Sequence, residues 1–282
     1  MTSRNSGDPG ITKAVDARDR GFTLGDGVFE TLKLRRGRPL RWEAHMDRLS
    51  SGLDYLGIVP PRVDDLRARI TLDWDKNGRP DTAAARISVS RGVIPTRGLD
   101  AGAVTDPTII VTVDPFSGYP KTAYENGLSI VFSRIRRNEH SPLSGIKALS
   151  YLDQVLARRE ATAQGADEAL MLNTAGMVVC SAAGNLFAVV AHELVTPPLS
   201  DGVLAGTIRG WILNCRDQLA VSERSLTPDD LSVADELFLT NSLMGIMPVA
   251  TLDSAPVGAG RPGPITTRLN VLLAADEETE AG

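Results

Sequence analysis

SGIKALSYLDQVLARREATAQGADEALMLNTAGMVVCSAAGNLF, Ser144 to Phe187, carries the pattern that decides the fold. Lys147 is the only charged residue between Ser141 and Ser150 and stands in small and apolar company. A lysine in such surroundings loses charge stabilisation, and its neutral amine becomes a nucleophile able to form a Schiff base. Context alone favours the plainer reading, a lysine whose stem lies on the surface while its head reaches water, and it is the company Lys147 keeps that changes this. The spacing beyond it predicts an amphipathic helix over Tyr151 to Gln164, with Leu152, Val155, Leu156 and Arg159 on one inner face. After Gly165 the text breaks into short strands: Glu168 to Leu172, Met177 to Cys180, Leu186 to Val190 and Leu194 to Thr196.

Upstream, Ile11 to Leu34 reads as short strand-like text, interrupted at Gly25-Asp26-Gly27 where a positive φ is expected. Met46, Leu49, Leu53 and Leu56 predict a helix over Glu43 to Leu56 that Gly57 ends, and a second, polar helix covers Val63 to Asn77. Ala85 to Ser90 and Thr108 to Val113 read as neighbouring strands, and Leu128 to Phe132 as another. Pro115, Gly118, Pro120 and Gly127 mark a linker. Downstream come a helix over Thr207 to Leu219, a strand over Glu236 to Thr240, a helix over Ile265 to Ala275 and a frayed tail, DEETEAG. The expected organisation is two α+β units: residues 1–114, a linker over 115–127, and residues 128–282.

The 282 residues, 42% hydrophobic and 23% charged, can bury a sizeable core, which excludes a disordered chain. A formal net charge of −5 advertises no nucleic-acid or anionic-membrane partner. The best apolar runs, Ile109 to Val113 and Leu186 to Ala191, are strand-sized, so no membrane span is expected. MTSRNSGDPG has no apolar core and predicts no secretory signal. Cys180 and Cys215 are too few for a disulfide framework, which makes the reducing cytoplasm the expected compartment. His45, His140 and His192 show no metal-ligand spacing, and no metal is expected. Asp64-Asp65 and Asp229-Asp230 read as first-turn helix charges.

The Ser144 to Phe187 stretch resembles the core of the class IV aminotransferases, the fold-type-IV pyridoxal-phosphate enzymes. Three flanking blocks share the resemblance, in the family's order: DRGFTLGDGVFETL (Asp19 to Leu32) with HMDRL (His45 to Leu49), TPPLSDGVLAGTIR (Thr196 to Arg209), and FLTNSLMGIMPV (Phe238 to Val249). The resemblance implies an α+β, D-amino-acid aminotransferase-like fold: a small domain, a larger domain with barrel-like strands, the cofactor in the cleft between them, and a homodimer. It makes Lys147 the catalytic residue that holds pyridoxal 5'-phosphate and moves protons at the substrate carbon. Arg48 matches the arginine that clamps the cofactor phosphate, a role that suits a bidentate guanidinium. Gly206 and Thr207 open a helix whose N–H groups match the phosphate cup. Ile208 stands where the family often has threonine, so that side-chain contact is lost. Tyr151 matches a residue near the ring hydroxyl. Thr240 and Asn241 match a turn facing phosphate or substrate, and Asp26 and Phe29 match the active-site wall. Arg91 and Arg97 are candidates for gripping a carboxylated substrate.

One departure stands out. Cys180, five residues before Asn185, occupies the place of the family's glutamate, whose carboxylate keeps the pyridine nitrogen protonated. A mostly neutral thiol cannot do that electrostatic work. Three readings follow: a weaker electron sink, rescue by another acid nearby, or lost catalysis. Within the family, LTNSLMGIMPV with Asn241 resembles the aminodeoxychorismate lyases. Thr96 and Gly98 in RGVIPTRG lack the arginine–histidine pair of D-amino-acid enzymes, and KALSY lacks the glycine-rich insertion of branched-chain enzymes. The expected activity is elimination of pyruvate to give 4-aminobenzoate, with amino transfer, or cofactor binding without turnover, as the alternatives.

Overall fold

The computed structural model describes residues 15–95, 98–101, 106–215 and 219–282. The chain divides into two compact units, and Ile146–Ser150 belongs to the first although the chain on either side of it belongs to the second.

The first unit begins with α1 (Arg20–Leu24), followed by β1 (Gly27–Arg35), β2 (Arg38–Pro39), α2 (Trp42–Leu56), α3 (Val63–Lys76), β3 (Thr82–Ser90) and β4 (Thr108–Pro115). The strand-like reading of Ile11 to Leu34 is corrected at Arg20–Leu24. There Asp19 caps a short helix by accepting from the Gly21 N–H, and Gly25 closes it at φ 68°. The four strands form an antiparallel sheet in the order β2-β1-β3-β4. Alternation along β1 sends Val28, Leu32 and Leu34 into a core with Met46, Leu49 and Leu53 of α2 and Leu66 and Ile70 of α3. Asp64 and Asp65 occupy the first turn of α3, where the helix dipole favours them. The Ile146–Ser150 segment lies along β1: Phe29 N–H donates to the Lys147 carbonyl, Leu149 N–H to the Gly27 carbonyl, and Val28 bridges Ala148.

The second unit comprises α4 (Lys121–Asn126), β5 (Leu128–Arg137), α5 (Leu152–Ala163), β6 (Glu168–Asn173), β7 (Val178–Ser181), β8 (Asn185–Val190), β9 (Glu193–Thr196), α6 (Thr207–Asn214), β10 (Val221–Glu223), α7 (Pro228–Ser232), β11 (Glu236–Asn241), β12 (Gly245–Leu252), β13 (Ala255–Pro256) and α8 (Pro264–Ala281). The segment read as a linker thus contains β4's last residue and a helical turn. Strands β8, β11, β12, β5, β6 and β7 follow one another in the sheet, and the Cys180–Asn185 pair joins β7 back to β8, closing a barrel. Strand β12 escapes a sequence reading because Pro248 interrupts it; in place, Pro248 pairs with Phe238 of β11. Leu170, Leu186, Leu237, Leu239 and Met247 fill one core. Phe187 and Phe238 stack with centroids 5.1 Å apart in another, beside Ile208 and Ile212 of α6.

Two further expectations change. Helix α5 turns Ala157 and Ala161, not its large residues, onto Val131, Ala169 and Met171. Its bulky stripe faces outward, with Leu152 68% and Val155 56% exposed. Alanines win the inner face because the strands beneath are already bulky and close packing needs small partners. The DEETEAG tail is not frayed: α8 runs through it to Ala281, since no glycine or proline intervenes before Gly282. The far end of α8 is locked by the buried Glu236 carboxylate, which accepts from the N–H groups of Ile265 and Thr266 and from the Thr266 hydroxyl.

Candidate active site

The first unit gathers Lys147, Phe29 and Arg48. Backbone pairing with β1 fixes Lys147, and its half-buried side chain carries the ammonium 4.4 Å from the Phe29 ring centroid. Arg86, on the neighbouring strand, lies 3.9 Å from the same ring. Phe29 is 6% exposed and so offers each cation a π face with little competing water.

On the opposite face of β1, Glu30 stands in the apolar row of Val28, Leu32 and Leu34 and is fully buried. It is bound by Arg48 through Nε–Oε1 at 2.7 Å and Nη2–Oε2 at 2.6 Å, and by His45 Nδ1 at 2.7 Å. Burial pushes the Glu30 carboxyl up, but the Arg48 and His45 hydrogen bonds outweigh it and hold the group at about 2. For His45 burial is the largest influence and lowers its pKa; the Glu30 contact opposes this, and the Arg48 and Lys147 charges add to the lowering. An ionised carboxylate only accepts, so the neutral imidazole carries its hydrogen on Nδ1. Arg48 is therefore no solvated helix charge: its guanidinium plane is set by a buried bidentate partner. Glu30 was not singled out by sequence. The signal that finds it is the alternation itself, since a carboxylate in a buried apolar row needs a partner.

Asp26 does not cap its own turn. It accepts from Arg20 Nε and Arg91 Nε, each at 2.7 Å, and these arginines hold its pKa below the usual carboxylate range although burial pushes the other way. Arg91 also donates to the carbonyls of Leu56 and Gly57. Its guanidinium thus joins the end of α2 to the end of β3. Arg97 lies outside the described residues.

The second unit holds Tyr151, Cys180, Gly206, Thr207, Ile208, Thr240 and Asn241. Gly206 is the N-cap of α6, with no side chain capping its first N–H groups. A Cβ on Gly206 would stand 1.9 Å from the Asn185 side-chain oxygen. Asn185 in turn donates to the Leu204 carbonyl and pairs across strands with Thr240. The Thr240 hydroxyl is buried without a hydrogen-bond partner. An uncapped helix start beside an orphaned buried hydroxyl and a glycine that admits no side chain is what a phosphate dianion fits. Ile208 is buried in the core, so only its N–H can face an anion. Asn241 is engaged locally, accepting from the N–H groups of Leu243 and Met244 and donating to the Ala183 carbonyl. Tyr151 is the half-buried N-cap of α5.

Replacing Thr240 with valine removes an unsatisfied buried hydroxyl and leaves the cofactor-free fold at least as stable. Were Thr240 a phosphate donor, as the resemblance implies, the loss of one charge-assisted hydrogen bond would cost roughly 1.5–3 kcal/mol, or about 10- to 100-fold in pyridoxal-phosphate affinity. Thermal melts without cofactor and equilibrium dialysis with it measure the two halves of this expectation; a melt lowered by the substitution would show the hydroxyl to be structural.

Cys180, on β7, is free and buried, packed with Val179 and Val203. Burial pushes its thiol up, Arg137 opposes this and Glu168 adds to it, so the group is a neutral thiol at physiological pH. Among the described residues no cluster of histidine, cysteine, aspartate and glutamate could hold a metal ion, and no helix is long and apolar enough to cross a membrane.

The amino-transferase class IV family model matches residues 27–252. The aminodeoxychorismate lyase of Vibrio harveyi is 30% identical over 246 residues, covering 86% of this chain and 88% of that protein. The 4-amino-4-deoxychorismate lyase structure from Pseudomonas aeruginosa superposes with a TM-score of 0.84 at 34% identity, covering 94% of this chain and 96% of that one. The Escherichia coli branched-chain amino acid aminotransferase does so with a TM-score of 0.87 at 27% identity, covering 93% and 89%. Solved relatives include pyridoxal-phosphate and pyridoxamine-phosphate forms. With four sequence blocks in order and a closed barrel agreeing with these matches, the chain belongs to the class IV aminotransferase family of pyridoxal-phosphate enzymes.

Proposed function

We propose that this enzyme converts 4-amino-4-deoxychorismate into 4-aminobenzoate and pyruvate. The observation that carries the reading is the neutral, buried thiol of Cys180 where the family has a carboxylate. When bound, pyridoxal phosphate withdraws electrons from the carbon bearing the substrate amine, and it does so less strongly when its ring nitrogen is unprotonated. Elimination that makes an aromatic ring gains driving force from its product and tolerates the weaker withdrawal better than amino transfer does. Relatives named as lyases, at 30% and 34% identity, add support.

Lys147 holds the cofactor until the substrate amine displaces it. Its freed amine then takes the proton from the amine-bearing carbon, the bond from the neighbouring carbon to the enolpyruvyl oxygen breaks, and the departing pyruvate enolate takes up a proton. When the cofactor is bound, Arg48, oriented by Glu30, would offset phosphate charge. The N–H groups from Gly206 to Ile208 and the Thr240 hydroxyl would be donors for the same dianion. Tyr151 would serve the ring hydroxyl, the role that the family resemblance gives it. Phe29 supplies an apolar wall beside Lys147.

Amino transfer between amino and keto acids is the second reading, favoured by the TM-score of 0.87 against the branched-chain enzyme. Purified protein with pyridoxal phosphate is expected to release 4-aminobenzoate from aminodeoxychorismate. Its transfer of amino groups from D-alanine or branched-chain donors is expected to run at least about 100-fold slower, a gap of some 2.7 kcal/mol in barrier. Ready amino transfer with no 4-aminobenzoate would overturn the lyase reading, and inertness in both assays would favour a binding homologue. The proposal includes a homodimer, supported by the exposed Leu152–Val155–Leu156 stripe of α5, which a second copy would cover and sedimentation velocity would detect. It also places the enzyme in the cytoplasm, supported by its two free cysteines.

A further inference from the structure

The strands around Cys180 also hold an arginine. Arg137, at the end of β5, donates through Nε to the Gly202 carbonyl and through Nη2 to the Ser144 carbonyl. Gly202 precedes Val203, which packs on Cys180. The guanidinium is thus built into the loop that covers the thiol. Burial pushes the Cys180 thiol up, and the Arg137 charge acts against that push.

Glu168 is the acid that could offset this charge. It is 3% exposed on β6, and both its oxygens are taken: Oε1 accepts from the Ala169 N–H at 2.8 Å and Oε2 faces Arg158 Nη1 of α5 at 3.2 Å. Burial raises its pKa, against the pull of Arg158 and the backbone. Its charge is either paired with Arg158 or absent, so it does not replace the missing carboxylate.

Resting on the reading that sets the cofactor's pyridine nitrogen toward position 180, we propose that Cys180 and Arg137 together keep that nitrogen unprotonated, so that this enzyme works with a neutral pyridine ring. A neutral thiol gives no stabilisation to a pyridinium, and a nearby fixed cation disfavours one, just as like charges oppose each other's ionisation elsewhere. Arg137 is a positioning residue in this scheme and acts through the field it sets.

The test is 15N NMR of holoenzyme loaded with ring-labelled pyridoxal phosphate, read beside its visible absorbance. Wild type is expected to give the ring nitrogen at the pyridine position across pH 6 to 9. Cys180→Glu is expected to move it to the pyridinium position, while Cys180→Ser and Glu168→Gln leave it unchanged. A pyridinium signal in the wild type overturns the proposal even if every variant fails to fold. A signal that shifts in Glu168→Gln overturns it in favour of rescue by that acid. A protein that takes up no cofactor, with no visible band that Lys147→Ala abolishes, overturns the underlying reading and this proposal with it.

Discussion

Replacing Lys147 with alanine is expected to abolish turnover and the visible absorbance of the holoenzyme together. The side chain is assigned two duties, attachment of the cofactor and proton transfer at the substrate carbon. General acid–base catalysis alone is worth about 10²–10⁴-fold, so losing both duties costs on the order of 10⁴-fold or more. The fold is expected to survive: Lys147 is pinned by backbone pairing to β1 through its carbonyl, which alanine retains, and its ammonium lies over the Phe29 face, a contact worth about 0.5–2 kcal/mol. The proposed phosphate donors at the α6 start and Thr240 are untouched by the substitution, so dialysis is expected to detect weakened cofactor uptake still. A variant that melts normally and retains more than a hundredth of wild-type turnover would remove Lys147 from the chemistry.

The second large effect concerns Glu30. Glu30→Gln leaves the Arg48 guanidinium without its carboxylate inside the core, and breaking a buried pair in this way costs about 3–5 kcal/mol. The variant is expected to lose cofactor affinity as well, because Arg48 is no longer held in one plane. The same group sets the acid behaviour of the wild type. Its carboxyl ionises at about 2 in the folded protein against an ordinary 4.5, so the folded state favours the charged form. That stability is fully present above pH 4.5 and is lost as pH falls toward 2, about 3 kcal/mol in all. His45 works in the same direction from pH 6.5 downward, since its pKa is lowered and the unfolded chain binds that proton more readily. Chemical denaturation between pH 7 and 3 should show stability falling throughout, with a shallower slope below pH 4.5 in Glu30→Gln. An unchanged slope would mean that other carboxylates dominate.

Legibility in the sequence followed the physics of each signal. Helices α2 and α5 are readable because several large apolar residues recur at helical spacing, α3 as a polar helix, and β6, β7 and β8 because continuous apolar runs are bounded by glycine or polar turns. Strand β12 was hidden by Pro248, and α1 was masked because a five-residue helix held by Asp19 and Gly25 is too short to show periodicity. The orientation of α5 could not be read, since alanine against leucine on the inner face depends on how much room the partner strands leave. Lys147, Arg48, Cys180 and Gly206 were marked by blocks of resemblance, and the orphaned Thr240 hydroxyl adds physical content to one of them. Glu30 and the commitment of Arg91 to Asp26 were invisible because they depend on partners far along the chain, at separations of 18 and 65 residues.

The excursion of Ile146–Ser150 back to β1 has a bearing on how the molecule is made. A ribosome delivers the first 117 residues of the opening unit well before the five that finish it, so β1 waits with part of one edge unmatched while some thirty further residues emerge. The amine meant for the cofactor arrives on that late-coming strip. A nascent chain therefore holds Lys147 unpinned until that strip has paired with β1.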